Sequence, residues 1–304
     1  MRFGSVRVVR GHLLVMALAM GLVMGFAAAF GLGVGFRAPE AKLPVAHAAS
    51  EAESLAALLK TADELYATRS DPANLQKSID ILDKLLASAN VSANASVNGN
   101  PNASGNANAS GDNSAAYEAL WRLGRAYRWQ AEKAQASGGE RMKLLEKAKD
   151  YAERATRANE QGADGHYWLG VVLGRIGEER GVLNSLFLIK PIRQEMEKVL
   201  AIDPKYAGAH HVLGVLYRKA PPRPLSIGDI KKALQEANLA VKYAPADTLY
   251  RVGLAEVHIA LKEYDKARGI LEEAVKTPPT PGDEPAGEMD KATARDLLKQ
   301  IEKK

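Results

Sequence analysis

Residues 165–173 read GHYWLGVVL and residues 209–217 read AHHVLGVLY, and the similarity of these two stretches decides the fold. In both, a histidine stands three residues before the leucine of a Leu-Gly pair, and an apolar residue follows one helical turn later. The pattern occurs twice more, at Leu123-Gly124 with Tyr127 and at Leu254-Ala255 with His258. Spacings of 46, 44 and 41 residues between the four leucines indicate a helical-repeat protein.

Each segment continues into a second helical pattern that carries small residues, and three of these patterns end at a proline: Pro204, Pro245 and Pro278. A helical hairpin whose two members approach closely at Gly and Ala, and whose second member stops at Pro, accounts for this order. No alternating strand pattern of similar strength occurs. The sequence therefore predicts an all-α solenoid of helical hairpins with extended loops between some helix pairs.

Composition divides the chain into five predicted parts. They are an apolar leader (1–48), a first helical hairpin (49–88), a low-complexity linker (89–115), four repeats (116–279), and a loop with a C-terminal capping helix (280–304). The linker is rich in Asn, Ala and Ser and has a single charge, Asp112. Such a segment buries too little apolar surface to offset its ordering entropy, so we predict that it is disordered.

The leader contains an uncharged apolar run, residues 13–36, behind Arg2, Arg7 and Arg10. This arrangement is typical of an export signal, and two interpretations stay open: a cleaved signal peptide or a retained N-terminal membrane anchor. Either one predicts an exported, periplasmic or otherwise extracytoplasmic body that touches the membrane only through this segment. The leader also holds most of the net charge of +5, so the basic balance does not indicate nucleic-acid binding.

The sequence lacks the common signatures of catalysis. It has no cysteine, no phosphate-binding Gly-rich loop and no His-Glu-x-x-His helix. His166 and His210 occupy the same repeat position, which favours a packing role over metal binding. We therefore predict a non-catalytic protein with no cofactor and no metal site.

Repeat geometry places the first helix of each hairpin on the concave side. Nine side chains are predicted to line that groove: Trp121, Arg125, Arg128, Trp129, Tyr167, Arg175, His211, Arg218 and Lys219. An aromatic surface with a row of cations suits a protein partner, an acidic peptide or a small anionic ligand. The alternative is that the tryptophans pack between hairpins while the arginines are solvated.

The Leu-Gly pairs, spaced alanines and terminal prolines resemble the tetratricopeptide repeat (TPR). The segments LWRLGRAY (120–127), NSL (184–186), IDP (202–204) and AHHVLG (209–214) resemble the regulator of microtubule dynamics family. The extended repeats also resemble the T component of tripartite ATP-independent periplasmic transporters. These resemblances imply a helical-repeat fold and a role in protein interaction.

Three functions therefore stay open. The first is an exported scaffold or adaptor that binds a protein partner, as an accessory to an envelope transport system. The second is a small-ligand or lipid carrier with a cavity lined by Leu183 and residues 186–189. The third is a microtubule-associated regulator, which requires that the leader be an organelle anchor facing the cytosol.

Overall fold

The computed structural model describes residues 44–98, 109–133 and 138–304, and the regular structure in these ranges is helical. The helices are α1 (Pro44–Ala67), α2 (Pro72–Asn98), α3 (Ala109–Lys133), α4 (Gly138–Ala158), α5 (Ala163–Arg180), α6 (Val182–Ile202), α7 (Ala207–Lys219), α8 (Ile230–Tyr243), α9 (Thr248–Ala260), α10 (Tyr264–Lys276) and α11 (Glu284–Ile301). The predicted all-α, TPR-like fold is confirmed.

The helices form two layers. The odd-numbered helices α1, α3, α5, α7, α9 and α11 each contact the next odd-numbered helix, whereas the even-numbered helices pack mainly against their two sequence neighbours. A layer whose members touch lies on the inside of a curved stack, because spacing is shorter there. The odd-numbered helices are therefore the inner layer, and the even-numbered helices the outer layer.

The repeated Leu-Gly pair sets the spacing within each hairpin. Leu123, Leu169, Leu213 and Leu254 are all buried. A Cβ added at Gly124 would lie 3.3 Å from the Ala148 carbonyl oxygen, and one at Gly214 would lie 3.4 Å from the Ala233 carbonyl oxygen. The outer helix therefore approaches the inner helix at the glycine while the leucine fills the core beside it.

The predicted extended loops differ in their structure. Residues 220–229 do form a loop, which is held by Gly228 N–H donating to the Pro221 carbonyl at 2.8 Å. The predicted extension at 177–191 is instead almost entirely helical, broken only around Gly181 with its φ of 80°. Its apolar residues extend α6, where Leu188 and Ile192 pack in a core cluster with Leu169 and Leu173.

The helices also enter the predicted linker. The helix α2 continues to Asn98 and α3 begins at Ala109, so helical backbone occupies both ends of residues 89–115. Alanine recurs through this segment and has the highest helix propensity, which accounts for the extensions. The rest of the predicted disordered linker, and the leader up to residue 43, lie outside the described residues. Among the described residues, no helix combines the length and apolar character needed to span a membrane.

Candidate functional site

Aromatic side chains of the inner layer fit against glycines of the next inner helix. A Cβ built at Gly208 would lie 2.6 Å from the Tyr167 ring, and one at Gly253 would lie 2.7 Å from the His211 ring. Tyr117 likewise lies against Gly162, the N-cap residue that precedes α5. Two predicted groove residues, Tyr167 and His211, are therefore half-buried at the contacts between repeats.

The His211 side chain carries no positive charge near neutral pH. Burial, together with the nearby charges of Arg218 and Lys219, lowers the pKa of His211 to about 4. The imidazole is neutral near pH 7, and its ring lies 5.3 Å from the Tyr250 ring, centroid to centroid. His211 thus presents an aromatic face in the inner layer and no cation.

The two predicted groove tryptophans belong to the core. The Trp129 side chain is almost wholly buried, and Trp121 is 9% exposed with its indole N–H donating to Glu118 at 3.1 Å. Both lie in the largest core cluster, which joins α1 to α5. Their burial agrees with the part of the alternative interpretation that concerns the tryptophans, whereas Arg125 and Arg128 are ion-paired and mostly buried and not solvated.

The predicted groove cations form ion pairs that connect neighbouring inner helices. Arg125 of α3 lies 2.6 Å from Asp63 of α1, Arg175 of α5 lies 2.5 Å from Glu132 of α3, and Lys219 of α7 lies 2.9 Å from Glu178 of α5. Arg128 also pairs with Glu132, and Arg218 pairs with Glu256 of α9. We call this series, from Asp63 to Glu256, the charge ladder.

Two carboxylates of the charge ladder, Glu178 and Asp63, have lowered pKa values, and the ladder remains partly open to solvent. Burial alone would raise the pKa of Glu178, but Lys219 and Arg175 hold that pKa below its ordinary value. The same balance applies to Asp63 beside Arg125 and Arg122. The Lys219 and Glu178 side chains are 53% and 46% exposed. The surface therefore offers both signs of charge along one line, whereas the sequence predicted a row of cations.

The two histidines at equivalent repeat positions join the inner and outer helices of their own hairpins. His166 Nδ1 lies 2.5 Å from Glu195 of α6, and His210 Nδ1 lies 2.7 Å from Glu236 of α8. The other ring nitrogen of each faces a backbone carbonyl at 3.0–3.1 Å. These contacts are internal, as expected for packing residues.

The apolar residues predicted to line a ligand cavity differ in their exposure to solvent. Phe187 is 82% exposed, whereas Leu188 packs against the buried Leu169 and Leu173. The side chain of Leu183 lies outside the described residues. Neighbouring positions on α6 that face opposite environments do not form the wall of one cavity.

The C-terminal helix brings the far end of the chain back to the first hairpins. Ala286 and Met289 of α11 pack against the largest core cluster, and Asp283 forms an ion pair with Arg69, which follows α1. Arg69 is not among the site residues that the sequence predicts, because no repeat pattern includes it. The only available signal was its basic charge in a turn between two helices.

Three aspartates, Asp247, Asp283 and Asp290, mark the approach of α11 to the inner layer. Burial, then the charges of Asp247, Asp283 and Glu132, raises the pKa of Asp290 to about 7, against an opposing effect of Arg128. Burial and Asp283 likewise raise the pKa of Asp247 to about 6, although backbone N–H groups oppose this. The carboxylates repel one another when they are ionised.

A pH-dependent stability follows from Asp290. The folded state binds the proton of Asp290 more tightly than the unfolded state does. The contribution of Asp290 to the free energy of unfolding therefore falls as pH rises from about 4 through about 7. We expect Asp290→Asn to stabilise the protein relative to wild type by about 1–3 kcal/mol more at pH 8 than at pH 4.5. Urea unfolding at both pH values tests this. The exposed Asp296→Asn is the control, and an equal gain at both pH values for Asp290→Asn would contradict it.

The glycine contacts predict a second effect. Gly208→Ala places a methyl group against Tyr167, whose ring is confined by the Tyr206 ring at a centroid distance of 4.9 Å. We expect a loss of about 1–3 kcal/mol in the free energy of unfolding, as for other overpacked sites. Gly269→Ala is the matched control, because its added Cβ meets no atom of the described residues within 4 Å and alanine favours the helix. Equal midpoints of thermal unfolding for the two variants would refute the contact.

Comparison with known proteins gives a family match. The family model described as regulator of microtubule dynamics protein 1-3 matches residues 58–220, just over half of the chain. The match begins in α1 and ends after α7, so it includes the hairpins that carry the predicted groove residues.

Individual relatives match a shorter part. Regulator of microtubule dynamics protein 1 of Bos taurus is 33% identical over 98 residues, which cover 32% of this chain and 31% of that protein. Regulator of microtubule dynamics protein 3 of Bos taurus is 30% identical over 95 residues, which cover 31% of this chain and 20% of that protein. The chain thus spans about a third or less of the length of these relatives.

A solved structure supports the fold. The crystal structure of a thermophilic TPR protein of Thermus thermophilus superposes with a TM-score of 0.52 at 14% sequence identity. The superposition covers 79% of this chain and 100% of that chain. At this identity the likeness concerns the fold alone.

The family match corrects the predicted location. The matched proteins are named as regulators of microtubule dynamics, and microtubules are an intracellular polymer. The prediction of an exported, periplasmic body is therefore wrong. An apolar run behind basic residues supported that prediction, and the run itself lies outside the described residues.

Proposed function

Because the chain belongs to the regulator of microtubule dynamics protein 1-3 family, we propose that it is a non-catalytic scaffold that binds a protein partner through its inner layer. The charge ladder is the observation that carries this proposal. Its most exposed members are Asp63, Arg175, Glu178 and Lys219, whose side chains are 37–53% exposed and carry both signs of charge. The names of the relatives, none of which describes an enzyme, support the non-catalytic part.

The mixed charges of the ladder favour one class of partner. A partner segment that carries both basic and acidic side chains can pair with the ladder without leaving any group unpaired. An acidic peptide or a small anion, by contrast, has to displace Glu132, Glu178 or Glu256 from the cations that they already neutralise. We therefore favour a protein surface of mixed charge as the ligand of this layer.

The microtubule is the partner that the relatives' names suggest, and co-sedimentation tests it. We expect the full chain to pellet with stabilised microtubules and the double variant Arg128→Ala, Arg175→Ala to bind at least tenfold more weakly. Charge-assisted contacts contribute about 1.5–3 kcal/mol each, so the loss of two lowers affinity by at least that factor. Because Glu132 then loses both of its partners, we also expect a modest fall in the thermal midpoint.

A matched control separates the inner layer from a general loss of charge. Lys149 and Arg154 of α4 form ion pairs with Glu153 and Asp150 on the outer layer, so Lys149→Ala, Arg154→Ala removes two cations elsewhere. The control is expected to bind like wild type. Wild-type protein that stays in the supernatant would argue against the microtubule as partner, and equal binding by both double variants would argue against the ladder.

Two other functions receive no support from the described residues. The accessory role in envelope transport required export, which the family match contradicts. The ligand carrier required a shared cavity, whereas Phe187 and Leu188 face different environments.

A further inference from the structure

Arg69 is a buried cation in an aromatic cage. Its side chain is 1% exposed, and its guanidinium carbon lies 4.3 Å from the Tyr66 ring centroid and 4.1 Å from the Trp129 ring centroid. Nη1 donates to the Tyr66 carbonyl at 3.2 Å, whereas the buried Nε has no hydrogen-bond partner among the described residues. Arginine stacks on aromatic faces and pairs with carboxylates in a fixed geometry, so this cage is built to present Nη2 to an anion.

The anion at the cage comes from the far end of the chain. Nη2 of Arg69 donates to Oδ1 of Asp283, which stands immediately before α11 and is 51% exposed. Asp283 occupies the N-cap position of α11 but makes no side-chain capping bond there. The carboxylate therefore approaches the buried cation from the solvent side and gives up the usual interaction of an N-cap aspartate.

The segment that supplies this carboxylate, Asp283 to Met289, is only partly buried and lies near other carboxylates. Ala286 and Met289 are only partly buried where they meet the largest core cluster. The negative charges of Asp247, Asp283 and Glu132 oppose the ionisation of Asp290 in this segment, and the positive charge of Arg128 favours it. Removal of Asp283 alone would leave Arg69 unpaired, at a high energetic cost, so the cage requires some carboxylate.

We propose that the Arg69 cage is a recognition site for an acidic side chain at the start of a helix in a protein partner, and that Asp283 to Met289 are its internal occupant. A partner helix that presents a carboxylate followed by small apolar residues replaces this segment and uses the same contacts. The proposal rests on the scaffold function above, and it adds a second contact point with defined chemistry.

A peptide titration on the full chain tests the site. The probe is a fluorescein-labelled peptide of residues 279–295, which carries the occupant's own sequence. The host is Asp283→Ala, which removes the tethered carboxylate and leaves Arg69 unpaired, so circular dichroism first establishes that this variant is folded. If it is not folded, Asp283→Asn is the host in every arm, because its side-chain carbonyl can still accept from Arg69 while the competing negative charge is gone. We expect this host to bind the peptide at least tenfold more tightly than wild type, because the tethered carboxylate of wild type competes at a high effective concentration.

Two further arms identify the group that is recognised. A peptide in which its own Asp283 is replaced by Asn is expected to lose at least tenfold in affinity for the same host. Arg69→Met in the Asp283→Ala host is also expected to lower the affinity for the unmodified peptide at least tenfold. If that variant does not fold, the comparison of the Asp and Asn peptides decides the outcome. The control host Asp296→Ala, which removes an exposed acid of α11, is expected to bind like wild type.

Several outcomes would overturn the proposal. Equal binding by Asp283→Ala and wild type means that the Arg69–Asp283 pair is only a structural contact. Equal binding of the Asp and Asn peptides means that the carboxylate is not recognised. Competition by acetate at the peptide's own concentration would indicate a small-carboxylate site without a helical partner. Microtubule co-sedimentation is read separately, so either proposal can fail while the other stands.

Discussion

Trp129→Ala is expected to destabilise the protein by about 3–5 kcal/mol, the usual cost of removing a buried tryptophan. The Trp129 side chain is 1% exposed in the largest core cluster, among residues of α1 to α5. In the part of the chain that the structure describes, its buried indole nitrogen has no hydrogen-bond partner, so the loss arises from packing and from the vacated cavity. The substitution also removes one of the two rings that stack on Arg69.

Urea unfolding followed by circular dichroism measures the Trp129→Ala effect. Trp129→Phe is the matched control, because it keeps a ring beside Arg69 and removes less volume. We expect the phenylalanine variant to lose less than half as much stability as the alanine variant. A loss below about 1 kcal/mol for Trp129→Ala would show that the side chain is not a core residue.

Leu213→Ala is expected to lower the free energy of unfolding by about 2–5 kcal/mol, because it also opens a cavity in the core. Leu213 is 4% exposed and packs with Met196, Val199 and Ala209, where α7 meets α6. It is the leucine of one repeated Leu-Gly pair, so the variant tests the repeat pattern as well as the local core.

Leu249→Ala is the control for Leu213→Ala. Leu249 is 36% exposed at the start of α9, and its truncation is expected to cost less than about 1 kcal/mol. Thermal or urea unfolding of both variants gives the comparison. Similar losses for the two leucines would mean that the repeat leucine has no special place in the core.

The helical hairpins are predictable from the sequence because their contacts are local. The repeat leucines and the glycines beside them recur at the same positions, and Leu123 and Leu213 are buried as their pattern requires. Helix ends are less predictable. The run around Gly181 contains glycine and proline, which favour a loop, but burial of Leu188 and Ile192 keeps it helical.

The electrostatics of the inner layer are not predictable from residue type. A pattern places Arg175 and Lys219 on the inner helices, but the curvature of the stack determines that Glu132 and Glu178 lie opposite them. The Arg69–Asp283 pair is harder still to predict, because 214 residues separate its members and no repeat pattern includes Arg69. By residue type Tyr167 and His211 are equally suited to binding, and only the structure shows Gly208 and Gly253 beneath them.

Site-specific crosslinking tests most directly whether the inner layer binds the partner. The chain has no native cysteine, so a single introduced cysteine carries a benzophenone label at one known place. Labels at Glu178→Cys on α5 and at Glu153→Cys on α4 compare the inner and outer layers, at side chains that are 46% and 36% exposed. With microtubules as the probe, we expect a tubulin adduct from position 178 and little or none from position 153. Equal adducts from both positions, or an adduct from position 153 alone, would contradict an inner-layer binding surface.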